Sequence, residues 1–118
     1  MIQEDKELLL KDLCARLPYG VKIQVPYEDG SGYFDETVWE VNNEGPFHVN
    51  GWGIEYEYVK PYLFPLSSIT KKTLEELSAY IDIKNAYVAV EFFNSHHIDY
   101  RGLIEKGLAI DATGLGIY

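Results

Sequence analysis

Between Val21 and Tyr58 the chain reads as a series of short strands, each closed by turn-forming residues. This pattern limits it to folds built on antiparallel hairpins. Val21, Ile23 and Val25 alternate with Lys22 and Gln24, the period of a half-buried strand. Asp29-Gly30-Ser31-Gly32 follows, and glycine supplies the positive φ that a tight hairpin needs. Residues 33–41 carry Tyr33, Phe34, Val38, Trp39 and Val41, all good strand formers. Asn42-Asn43-Glu44-Gly45 reads as a second turn, Phe47 to Val49 as a short strand, and Asn50-Gly51 as a third turn. Ile54, Tyr56 and Tyr58 then alternate with Glu55 and Glu57. The expectation is an antiparallel four-stranded β-meander with one wet face.

Helical patterns lie on both sides of this region. Residues 3–17 place Leu10, Leu13, Cys14 and Leu17 at i, i+3, i+4 and i+7, with Leu9 beside them, and Pro18 and Gly20 end the helix. Lys60-Pro61 and Phe64-Pro65 hold the chain extended, because a residue before proline avoids the helical region. Thr70 reads as the N-cap of a second helix, with Ile69 and Leu74 as a hydrophobic staple. Residues 85–95 contain no turn signal and read as a buried helix, despite the strand-forming Tyr87, Val88, Val90, Phe92 and Phe93. Asp99 reads as the cap of a further short helix ending near Gly107. The expected fold is α+β: an N-terminal helix, the meander, then two or three C-terminal helices, in a single domain spanning residues 1–118.

The charge is unevenly placed. Residues 23–59 hold Glu28, Asp29, Asp35, Glu36, Glu40, Glu44, Glu55 and Glu57 and no lysine or arginine, so one segment carries -8 of the formal net charge of -9. Nucleic-acid and anionic-membrane binding both need clustered bases, so neither partner is expected. The acidic start MIQEDKELLL has no basic n-region, and the single cysteine, Cys14, allows no internal disulfide. Together these point to the cytoplasm.

Three blocks carry a resemblance: Leu8–Val25, Lys60–Thr70 and Asn94–Tyr118, the last containing the run His96-His97-Ile98-Asp99-Tyr100-Arg101-Gly102-Leu103-Ile104. In these the chain resembles a widespread set of short uncharacterised proteins from gut bacteria and their phages and prophages. The resemblance implies a phage or mobile-element setting. It carries no activity, and therefore no catalytic residue, onto this sequence.

Several residues invite a chemical reading beside a plainer one. His96, His97 and Asp99, with His48 as a distant fourth, are metal-ligating types. Their spacing is poor, since good chelation on a helix uses i, i+4. The plainer reading has a histidine closing a helix and Asp99 capping the next. Asp29 to Glu40 has the length of a calcium loop, but Phe34 stands where that loop requires glycine, so a solvated turn is the simpler reading. Cys14 reads as a core residue on the apolar stripe rather than a nucleophile. Ser67-Ser68 lacks a G-x-S-x-G setting, and no phosphate-cradling glycine loop is present, so no cofactor is expected. Tyr100 and Arg101 are residue types favoured at partner contacts; the plainer reading is an Asp99–Arg101 or inter-helix ion pair that orders the C-terminal turn.

The leading expectation is a non-enzymatic accessory protein that binds a basic protein partner through an acidic, aromatic β-sheet. Glu36, Glu40, Glu55 and Glu57 are its contact residues, with Tyr100 and Arg101 as further candidates. One alternative is a small metal-dependent hydrolase using His96, His97 and Asp99. Another is a structural or oligomeric component in which Leu115, Ile117 and Tyr118 pack against a neighbour.

Overall fold

The computed structural model describes residues 3–27, 29–42, 48–50, 59–68, 75 and 86–118. The first helix, α1, runs Gln3–Arg16 and passes into a 3-10 turn at Leu17–Tyr19. Gly20 closes it at φ 69°, a left-handed value that glycine adopts without strain. The buried face of α1 is Leu9, Asp12, Leu13 and Arg16. Of the expected stripe, with Leu9 beside it, Leu9 and Leu13 are buried, while Leu10 and Leu17 are half-buried and Cys14 is exposed. Asp12 and Arg16 join the buried face, because their side chains pair with each other and with groups on the C-terminal segment.

Strand β1 (Lys22–Pro26) pairs antiparallel with β2 (Tyr33–Thr37) in the expected hairpin, with Val25 opposite Phe34 and Ile23 opposite Glu36. The turn is held by Tyr27 N–H donating to the Gly32 carbonyl, Gly30 N–H donating to the Tyr27 carbonyl, and Ser31 N–H donating to Asp29 Oδ1. Among the described residues, strands β3 (Val41–Asn42) and β4 (His48–Val49) pair only with each other, as a second, two-stranded ladder. The strand expected at 54–58 and the helix expected from Thr70 lie outside the described residues.

Strand β5 (Lys60–Pro65) is the main departure from the meander. It lies beside β1, antiparallel, and its other side takes two short parallel strands, β6 (Ile98–Asp99) and β7 (Ile110–Asp111). The sheet is therefore mixed, ordered β2-β1-β5-β6, with β7 also against β5. Helix α2 (Ala86–Ser95) precedes β6, as expected for residues 85–95; Phe92 and Asn94 are buried and Val90 is exposed. No helix follows Asp99. Gly102 at φ 76° breaks any right-handed helical path, and residues 103–107 form successive turns instead.

The core collects on one face of the sheet. Leu9 and Leu13 of α1, Val21, Ile23 and Val25 around β1, Leu63 of β5, and Leu103 and Leu108 of the last turns form one cluster with Val38, Val49 and Val59. The result is a single α+β unit with a mixed five-stranded sheet. Among the described residues no helix is long and apolar enough to cross a membrane.

The opposite face of the sheet is covered in part by the C-terminal residues. The antiparallel register of β1 and β5 would next bring Lys22 opposite Tyr62. The Tyr118 hydroxyl sits there instead. It accepts from Lys22 N–H and donates to the Tyr62 carbonyl, each at 2.8 Å. Lys22 Nζ donates to the Ile117 carbonyl at 2.9 Å. Tyr118 thus packs on its own chain, which is where the structure places one residue of the expected oligomeric contact.

Candidate functional site: a buried arginine pair and an acidic edge

Helix α1 presents Asp12 and Arg16 on one buried face because they stand four residues apart. Both side chains are fully buried. Asp12 Oδ2 accepts from Arg16 Nε at 2.9 Å, and Asp12 Oδ1 accepts from Arg101 Nη1 at 2.7 Å. Arg16 also donates to the carbonyls of Ile98 and Phe93. The guanidinium of Arg101 lies over the Tyr100 ring at 4.4 Å, and the Tyr100 hydroxyl donates to Asn94 Oδ1 at 3.0 Å. The two arginines of the sequence therefore meet on one carboxylate. Of the two pairings expected for Arg101, the one with Asp99 is not formed and the one reaching a helix is, with Asp12 of α1 as its partner. Asp12 and Arg16 were not singled out from the sequence; the i, i+4 spacing of opposite charges on an otherwise apolar face was the available signal.

The histidine cluster does not converge. His96 is exposed, with Nδ1 3.0 Å from the Phe92 carbonyl and its ring stacked on Phe92 at 4.2 Å. His97 ends α2 in the left-handed region at φ 57° and stacks on Tyr118, with ring centroids 3.8 Å apart. Asp99 is buried, and its two oxygens accept from Leu103 N–H at 3.0 Å and Ile104 N–H at 2.9 Å. It caps a turn, so the capping role expected from the sequence is kept while the helix is not. Among the described residues no group of three His, Cys, Asp or Glu side chains is placed to hold a metal ion. The side chain of His48 lies outside the described residues.

His97 carries the clearest titration. Burial, then the positive charges of Arg16, His96 and Lys22, push its pKa from 6.5 down to about 4. Its Nδ1 is buried and has no partner among the described residues. The folded protein therefore holds His97 neutral in a range where the unfolded chain takes up a proton. Stability from this group is complete above about 6.5 and falls as pH drops toward 4. Solvent reaches the half-buried ring, which keeps the effect on the order of 1–2 kcal/mol. His97→Asn tolerates the left-handed backbone and removes the titration. Urea midpoints compared at pH 7 and pH 4.5 are expected to fall less for the variant than for the wild type; an equal fall would remove His97 as a source of acid sensitivity.

A groove of about 490 Å³ lies between the end of β5 and the loop after β6, lined by Pro65, Ser67, Asp99, Arg101, Ile104 and Glu105 among others. Its charges are mixed and its arginine is already paired, so it selects no ligand by charge. Cys14 is no better placed for chemistry, since partial burial raises its pKa and disfavours the thiolate. Ser68 Oγ donates to the Pro65 carbonyl, a turn role.

The acidic segment splits between two faces. Glu36 is half-buried on the core side of β2, and Glu40 is half-buried beyond it. Glu55 and Glu57 lie outside the described residues. Asp35 stands on the outer face and accepts from the Tyr62 hydroxyl at 2.5 Å, which in turn accepts from Gln24 Nε2 at 3.2 Å. Burial, with Asp35 alongside, raises the Tyr62 pKa. Asp29 is exposed and held below the usual carboxylate range by the Ser31 hydrogen bonds. Around these acids Tyr27, Tyr33 and Trp39 are 48%, 64% and 62% exposed, whereas Phe34 is half-buried against the core with its ring 5.3 Å from that of Tyr27. Comparison with known protein families, curated proteins and solved structures finds no match for the chain.

Proposed function

We propose that this protein is a non-enzymatic binding module that holds a basic segment of another protein on the outer surface of the β1–β2 hairpin. The observation that supports this most is the exposure of Tyr33 and Trp39 within a segment of eight carboxylates and no lysine or arginine. Large aromatics that serve only the core would be buried. Exposed beside carboxylates, they supply contact area while the charge speeds the encounter and selects the partner. The phage or mobile-element setting implied by the resemblance suits a small module that acts on a host protein.

The best charge-reversing variant combines Asp35→Lys and Glu40→Lys with Trp39→Ala. Glu36 is left alone, because it stands opposite Ile23 on the core side. Wild type is expected to capture basic proteins from the native host, with capture falling as salt is raised. The variant, folded by circular dichroism, is expected to capture them at least about tenfold less well. Equal capture by both proteins would exclude this surface as the interface.

A further inference from the structure

The β1–β2 ladder fixes which backbone groups of β2 point outward. Val38 N–H donates to the Val21 carbonyl and Tyr27 N–H to the Gly32 carbonyl, in the same register as the strands between them. Antiparallel ladders alternate bonded and non-bonded pairs, so Phe34 and Glu36 turn their backbone groups toward β1. Tyr33, Asp35 and Thr37 turn theirs away from it. At the Thr37 end the outward groups are taken up by Asn50. Its Nδ2 donates to the Thr37 carbonyl at 2.9 Å, and its Oδ1 accepts from Trp39 N–H and Glu40 N–H. Asn50 is buried and held at φ 56°, a fixed stop to the edge. Among the described residues nothing bonds the N–H and C=O of Tyr33 and Asp35 or the N–H of Thr37.

We propose that this edge binds its partner by strand addition: an extended segment pairs with the backbone of Tyr33 and Asp35, ends at Asn50, and sets a lysine or arginine opposite Asp35. The inference rests on the acidic-surface reading above and adds its mode and register. An unpaired edge is a template for another strand, and backbone bonds supply affinity while alternate side chains supply selection. Charge decides the occupant. A second copy of this chain pairing edge to edge would bring carboxylates together, and like charges directly opposite one another destabilise a ladder. A basic residue opposite Asp35 reverses that sign.

The test uses the full chain and a short synthetic peptide of alternating lysine and valine. Amide hydrogen exchange at Tyr33 and Asp35 is expected to slow at least about tenfold when the peptide is bound. Tyr33→Pro deletes one outward N–H and spares the β1 ladder, as proline on an edge strand can. It is expected to bind the peptide about tenfold more weakly than Tyr33→Ala, which keeps that N–H. Peptide binding with no added protection at Tyr33 and Asp35, and with the two variants equal, would overturn strand addition and leave the acidic surface standing. Failure of wild type to bind the peptide, with an alternating glutamate and valine peptide as control, would overturn both. The exchange measurement on wild type decides the question even if Tyr33→Pro does not fold.

Discussion

Replacing Arg16 with methionine is expected to lower stability by about 3–5 kcal/mol, because it takes one of two cations from a buried carboxylate and the donor from two backbone carbonyls. Asp12 and Arg16 are both fully buried, and Asp12 Oδ2 has Arg16 Nε as its partner. Removing the guanidinium leaves Arg101 alone on Oδ1 and takes the donor away from the carbonyls of Ile98 and Phe93. A domain of this size has about 5–15 kcal/mol of net stability, so the loss is a large share of the total. The double variant Asp12→Leu, Arg16→Met tests the reasoning further. A simple buried pair can often be replaced by apolar residues at little cost. Here that relief is incomplete, since Arg101 also uses Asp12 and would lose its carboxylate. The double variant should therefore recover part of the loss and not all of it. Urea denaturation of the three proteins reads this directly; an Arg16→Met loss below about 1 kcal/mol would mean that the pair is not closed in solution.

That cluster also shows what could be read from the sequence. The β1–β2 hairpin was legible because Val21, Ile23 and Val25 alternate and Asp29-Gly30-Ser31-Gly32 allows only a turn. Helix α2 was legible from the lack of any turn signal across residues 85–95, although its residue types favour strands. Strand β5 shows in the sequence only as extended chain, at Lys60-Pro61 and Phe64-Pro65, and prolines are uncommon in a central strand. It is central all the same: Pro61 sits at the start of the strand, ahead of the first pairing with β7 at Tyr62 and Ile110. The parallel pairs to β6 and β7 join segments distant in sequence, and no local pattern announces them.

The buried face of α1 departs from the apolar periodicity for a related reason. Periodicity counted Cys14 as apolar and Asp12 and Arg16 as polar, whereas burial followed the partners each could reach. The charge of the acidic segment was fully visible, but which carboxylates reach solvent depends on the register. Glu36 falls on the core side and Asp35 on the outer side, so these neighbours serve opposite faces. The C-terminal run His96 to Ile104 looked like chemistry because it concentrates polar residues. In the structure its members have packing tasks: His97 turns the chain out of α2, Arg101 ties the loop to α1, and Asp99 caps the next turn.

Asp99 allows the structural and metal-ligand readings of that run to be separated. Asp99→Ala is expected to cost about 2–4 kcal/mol, because it removes the acceptors of Leu103 N–H and Ile104 N–H at a buried position. A single exposed cap is worth about 1 kcal/mol; here one side chain satisfies two amides, the first of them buried. Leu103 is itself fully buried in the core, so a turn that loosens at its N–H also loosens its side chain. Asp99→Asn keeps one carbonyl oxygen and is expected to lose about half as much. A metal ligand would behave differently: Asn and Ala would both abolish binding, and added zinc would raise the melting temperature of wild type but of neither variant. The cap predicts no response to zinc or to a chelator in any of the three proteins, together with the order wild type, Asn, Ala in stability. A zinc-dependent rise confined to wild type would restore the histidine cluster as a metal site and displace the cap as the main role of Asp99.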